Sequence, residues 1–135
     1  MNSLRDAVSS RARFRCEYCL LSEADAIVPF QVEHVIPRQH GGKTVLGNLA
    51  WACLHCNRHK GPNLAGFDRQ TSPTKLVPLF HPRRHKWERH FRLDGARIVG
   101  RTPVGRVTVE VLNMNAPLRV VLREQLIADG LFPSG

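Results

Sequence analysis

No stretch of this chain approaches the roughly 20 consecutive apolar residues of a membrane span, and no lysine-rich amphipathic segment suggests a surface anchor. The opening MNSLRDAVSSRARFRC lacks the apolar segment of a secretory signal, so the expected setting is the reducing cytoplasm. No internal repeat is visible, which excludes a solenoid or propeller. Acid is also scarce: 11 Asp+Glu stand against 20 Lys+Arg, a formal net charge of +9 over 135 residues. That imbalance suits a partner carrying many phosphates. Cysteine is rarer still, with four in the whole chain, and their placement says more than anything else.

The four fall into two Cys-x-x-Cys pairs, Cys16/Cys19 and Cys53/Cys56. Two thiolates at this spacing form a zinc knuckle, and two knuckles complete a tetrahedral four-cysteine site. A redox pair would need a strand-to-helix setting within βαβ alternation, which the chain lacks, and a disulfide framework would need an export signal. The pattern therefore predicts structural Zn2+ held by Cys16, Cys19, Cys53 and Cys56. Four sulfurs leave no open position on the metal, so any chemistry must come from residues between and just after the knuckles.

Residues 3–13 carry Leu4, Ala7, Val8 and Ala12 at helical spacing, with Asn2 or Ser3 as N-cap. VPFQVEHVI (28–36) alternates as a strand ended by Pro37, and LAWAC enters the second knuckle as another. Leu54 to Lys60 has helical composition, broken by Gly61-Pro62. Residues 62–79, with Pro62, Pro73 and Pro78, predict an extended segment wrapping the surface. RLDGARIVG predicts a hairpin with a type I′ turn at Asp94-Gly95. Thr102-Pro103 predicts the cap and first residue of a helix, although Val107, Val109 and Val111 also alternate as a strand would. A last helix, bearing Leu118, Val121, Leu122 and Leu126, begins at Asn115-Pro117 and ends near Gly130.

Between and after the knuckles lie Glu33, His34, Asn48, Asn57 and His59. Hydrolysis of a phosphodiester needs a base for water, a cation for developing charge, and a group that orients the base. His34 suits the first role, because imidazole titrates near neutrality. Glu33 precedes it on the same strand and points to the opposite face unless the strand bends or ends there. Taken singly, each of these residues is more often an ordinary surface or hydrogen-bonding group.

VEHVIPR, GGKTVLGNLAWAC and CLHCNRHKG together resemble the HNH (His-Me finger) endonuclease family, in its four-cysteine subgroup. The resemblance covers Cys16 to Gly61. It implies an α+β fold: a ββα-metal core pinned by the four-cysteine site, with a helical C-terminal extension. It divides the chain into a core at 1–61 and an extension at 62–135 packing on it as one compact domain. By position, His34 matches the general base, Glu33 the acidic metal ligand and Asn48 the asparagine that braces the loop and orients the base. The last metal-binding position falls on Asn57, where many members carry histidine, making an HNN variant; His59 is the second-choice ligand. An asparagine oxygen suits Mg2+ or Mn2+. The implied activity is metal-dependent endonuclease cleavage of DNA, expected to be double-stranded, leaving 5′-phosphate ends.

Arg83, Arg84, Lys86, Arg89 and Arg92 crowd around Trp87 and Phe91 and form the expected DNA grip. The alternative is a solvated charge run with Trp87 anchored in the core. Arg38, Lys43, Arg58 and Lys60 lie nearer the expected metal and are candidates to touch the backbone. The rival function is a non-catalytic, zinc-stabilised nucleic-acid-binding module, which needs the cysteines and basic residues but not Glu33, His34, Asn48 and Asn57 together. A regulatory protein on a decayed nuclease scaffold is a third. Biological role, sequence preference and oligomeric state are not written in these motifs.

Overall fold

A computed structural model describes residues 3–134. Helix α1 (Leu4–Arg11) starts at Ser3, whose hydroxyl accepts from the Asp6 amide while the Asp6 carboxylate accepts from the Ser3 amide. Such a capping box contributes about 1 kcal/mol. Asn2, the other candidate cap, lies outside the described residues. Val8 and Ala12 of this stretch are buried, and Arg5 lies 4.7 Å over the Trp51 ring while its Nη2 donates to the Phe30 carbonyl.

The centre of the molecule is a ββα unit. Strand β1 (Gln31–His34) pairs antiparallel with β2 (Leu49–Ala52), Glu33 opposite Ala50 and His34 opposite Leu49. The sequence pattern places the start of this strand at Val28, but Pro29 has no amide hydrogen to donate, and pairing starts only at Gln31. All four residues of β2 are buried, with Trp51 filling the core against Phe30. Helix α2 (Leu54–Lys60) follows directly and ends at Gly61, matching the expected span.

Residues 62–79 depart from expectation. They form a second hairpin, β3 (Ala65–Asp68) with β4 (Ser72–Pro78), rather than a surface wrap. In a two-stranded ribbon every strand is an edge, so Pro73 and Pro78 remove no obligatory ladder bond. Asp68 closes the turn by accepting from the Gln70 amide and the Thr71 hydroxyl, and it receives a two-point grip from Arg106 Nε (3.1 Å) and Nη2 (2.9 Å). Those partners hold its carboxyl well below the ordinary range.

A short helix α3 (Trp87–His90) leads into the hairpin β5 (Phe91–Asp94) and β6 (Arg97–Gly100). Its two-residue loop is Gly95-Ala96, one residue later than predicted. Gly95 alone has positive φ (58°), the pattern of a type II′ rather than a type I′ turn. The helical reading prevails at α4 (Pro103–Val111), where the Thr102 hydroxyl accepts from the Gly105 amide. Helix α5 (Pro117–Ala128) begins at an Ala116 cap. Asn115 is used elsewhere: its side-chain amide binds both backbone groups of Ile98. Leu118 and Val121 of α5 face solvent, while Arg123 is buried and donates to the carbonyls of Ala96 and Met114. One hydrophobic core draws on residues from Val8 to Phe132. Among the described residues no helix is long and apolar enough to cross a membrane.

Candidate functional site

The first knuckle is shaped by backbone. Arg13, Phe14 and Leu20 take positive φ, Arg15 bridges to Ser22, and the Cys19 amide points at Cys16 Sγ from 3.5 Å. In the second, Cys53 caps α2 and accepts from the Cys56 amide at 3.4 Å. All four sulfurs are buried, unbridged, and within 4.8 Å of one another. Cys19 and Cys53 are 3.7 Å apart. A tetrahedron with metal–sulfur arms of about 2.3 Å has edges of about 3.8 Å, so the donor set fits a tetrahedral ion. The sulfurs' hydrogen bonds, with Arg119 nearby, hold the Cys19 thiol well below its usual range, while burial pushes Cys16 well up. One guanidinium cannot keep four buried thiols ionised, whereas a divalent cation can.

Arg119 comes from α5, far along the chain. Its Nη2 lies 3.4 Å from Cys53 Sγ and 3.8 Å from Cys19 Sγ, an approach that nothing in the knuckle spacing announces.

Next to the sulfurs lies a buried polar trio. Glu33 is 5% exposed and Lys60 1%. Glu33 Oε1 accepts from the Tyr18 hydroxyl (2.8 Å) and faces Lys60 Nζ (3.1 Å). Lys60 Nζ also donates to the Val35 carbonyl (2.8 Å) and, more weakly, to that of His34 (3.4 Å). Lys60, a candidate for the nucleic-acid surface by its sequence, is instead an internal brace. Burial raises the Glu33 carboxyl above its ordinary value, against the opposing pull of Lys60 and Tyr18. Among the described residues Glu33 Oε2 is buried with no hydrogen-bond partner, which leaves this acceptor without a donor.

His34 ends β1, and its side chain lies on the strand face opposite Glu33. Its Nε2 is 2.8 Å from the Thr44 hydroxyl, to which Arg38 Nη2 also donates (3.2 Å). Partial burial, then the charges of Arg38 and Lys60, lower the imidazole pKa. The loop that brings Thr44 here is clamped by Asn48. Its Oδ1 accepts from the Ile36 amide, and its Nδ2 donates to the carbonyls of Ile36 and Lys43. Gly42 is sterically required, because a Cβ there would meet the Ile36 carbonyl oxygen at 1.6 Å. Lys43, like Arg38, lies on this loop, and neither is buried.

On α2, Asn57 faces β1 and its Nδ2 donates to Gln31 Oε1, which lies on the same strand face as Glu33. Among the described residues its side-chain oxygen, Oδ1, accepts no hydrogen bond. His59 sits elsewhere on the helix. Its ring stacks on His55 at 4.1 Å, its Nδ1 bonds the His55 carbonyl, and with Arg58 it lines a pocket of about 410 Å³ that includes Leu21, Ile27 and Val28. His55 is itself engaged with the Asn113 carbonyl. Among the described residues the cysteines are the one group of three or more His, Cys, Asp or Glu placed to share an ion.

The basic run divides. Arg83 turns inward to pair with Glu17, so this member of the expected grip is structural. Trp87 is half-buried, donates from Nε1 to the Tyr18 carbonyl and packs on Phe91, as its anchoring role requires. Arg84, Lys86 and Arg89 remain open to solvent. The sequence motifs do not single out Tyr18, Gln31, Thr44 or Arg119; only Thr44, beside the Gly41-Gly42 pair, lies in a stretch where the spacing offered a signal.

Residues 16–63 match the family model described as HNH endonuclease, and that segment holds the ββα unit and both knuckles. Over 115 residues the chain is 27% identical to the Septu protein PtuB of Bacillus thuringiensis, an alignment covering 84% of this chain and 41% of that protein. This chain therefore spans about two-fifths of that relative's length. No solved structure gives a significant match.

Proposed function

We propose that this chain is a metal-dependent endonuclease that hydrolyses phosphodiester bonds of double-stranded DNA, with residues 1–61 as its catalytic core and 62–135 as an extension packed on it. The observation that carries this reading is the setting of His34. It ends a strand, its exit is clamped by Asn48 and by Lys60, and its depressed pKa keeps the imidazole neutral at physiological pH. A neutral, fixed imidazole accepts a proton from water as that water attacks phosphorus. Thr44, itself held by Arg38, steadies the ring, and Arg38 and Lys43, exposed on the same loop, would meet flanking phosphates.

A catalytic divalent cation would be held by Glu33 Oε2, the orphaned buried oxygen, and by the Asn57 carbonyl oxygen. When bound, it supplies positive charge for the scissile phosphate and the leaving 3′ oxygen. Oxygen donors favour Mg2+ or Mn2+. The four cysteines would hold structural Zn2+.

Conversion of supercoiled plasmid to nicked or linear form tests the proposal. Cleavage in Mg2+ or Mn2+, abolished by EDTA and by His34→Ala, is the expected result. DNA binding with no cleavage in any divalent metal would favour a non-catalytic module instead.

A further inference from the structure

The cations left over from the basic run do not spread as a diffuse face. Arg84, Lys86 and Arg89 converge with Arg101 on one open cavity of about 770 Å³, whose wall is completed by His85, His90, Thr102 and a single acid, Glu88. Arg101 lies outside the basic run and reaches the site from the end of β6. Its Nη1 donates to the Glu88 carbonyl (2.9 Å), which fixes the guanidinium against α3. The Thr102 hydroxyl meets His90 Nδ1 at 2.6 Å while capping α4, so the positive end of that helix borders the cavity.

Among the described residues none of these four cations is ion-paired, whereas Lys60, Arg69, Arg83 and Arg106 all are. Their mutual repulsion costs stability that a polyanion would return. Burial first, and then the neighbouring charges, push His85 and His90 down.

A second cavity, of about 290 Å³, shares Arg84 and His85 with the first and runs to Val35, Ile36 and Lys60. Those three residues follow or brace His34. The two cavities thus adjoin at Arg84 and His85, the smaller one, with Phe80 and His81 in its wall, lying on the side of the end of β1.

We propose that Arg84, Lys86, Arg89 and Arg101 form a phosphate cradle gripping the DNA backbone some way along the strand from the bond at His34. The smaller cavity seats the stretch between. This rests on the nuclease reading for its substrate, but not for its test.

Fluorescence anisotropy with a labelled duplex, in a His34→Ala background that removes turnover, reads the cradle directly. Arg84→Ala, Arg89→Ala and Arg101→Ala should each weaken binding several-fold and flatten the logarithmic salt dependence by about 0.9 for each phosphate no longer neutralised. Lys75→Ala on β4 is exposed, removes the same charge and should change neither. Equal effects from Lys75→Ala and Arg101→Ala would overturn the cradle in favour of diffuse charge. Inorganic tripolyphosphate that saturates the protein without displacing duplex would overturn it in favour of a free polyphosphate ligand. If the cradle variants behave as expected but the wild-type chain cleaves nothing, the nuclease reading fails and the cradle stands.

Discussion

Lys60 Nζ lies 3.1 Å from Glu33 Oε1 and 2.8 Å from the Val35 carbonyl, so one buried cation ties a carboxylate to the backbone leaving His34. Removing one member of a buried pair leaves the other charge uncompensated, at a cost of about 3–5 kcal/mol. Lys60→Met should destabilise the protein by that order in urea unfolding. The double variant Lys60→Met/Glu33→Gln should recover much of the loss, because it removes both charges. A double variant as unstable as the single would show that the pair is not what the lysine serves.

Arg119 holds the thiolates from outside the knuckles. Arg119→Ala should leave a folded protein that surrenders zinc to a chromogenic chelator about tenfold faster, the scale on which outer partners tune metal affinity. Arg119→Lys should restore part of the retention, since it keeps the charge but loses the planar fork. Equal release rates for the wild type and Arg119→Ala would confine the arginine to packing.

The sign of the His34 shift sets a pH dependence. Burial, Arg38 and Lys60 all disfavour the imidazolium, so the ring stays neutral below the ordinary histidine value of 6.5. A bound cation would push the same way. The acid limb of kcat/KM should therefore fall with a midpoint below 6.5, and Arg38→Ala should move it upward. A limb at or above the ordinary value would mean that His34 is not the titrating base.

The knuckles, the caps of α1 and α4, and α2 are legible in the sequence because their signals are local: Cys-x-x-Cys spacing, Asn2 or Ser3 ahead of an apolar periodicity, Thr102 with Pro103. What the sequence hides is long-range. Lys60 ends a short basic helix, where lysine ordinarily meets water, and partners about 25 residues earlier, the Glu33 carboxylate and the carbonyls of His34 and Val35, draw it inside. Arg83 is indistinguishable from its neighbours until Glu17 supplies a partner. The β3–β4 ribbon is obscured by Pro73 and Pro78, whose penalty disappears on unpaired edges. Helix α5 meets the expected pattern in part: Leu122 and Leu126 pack inward, but Arg119 and Arg123, four residues apart, also face inward because sulfurs and carbonyl oxygens await them, and Leu118 and Val121 are left in solvent.

We propose that His34 and Asn57 act on DNA while His59 stands aside on another face of α2. Single-turnover cleavage of a labelled duplex in Mg2+ and Mn2+, with zinc content confirming each variant's fold, tests it most directly. His34→Ala and Asn57→Ala should lose about a hundredfold or more in rate, in the range of a lost base or a lost charge-stabilising group, and His59→Ala should stay within severalfold of the wild type. An inactive His59→Ala beside an active Asn57→Ala would contradict the assignment of the cation to Glu33 and Asn57.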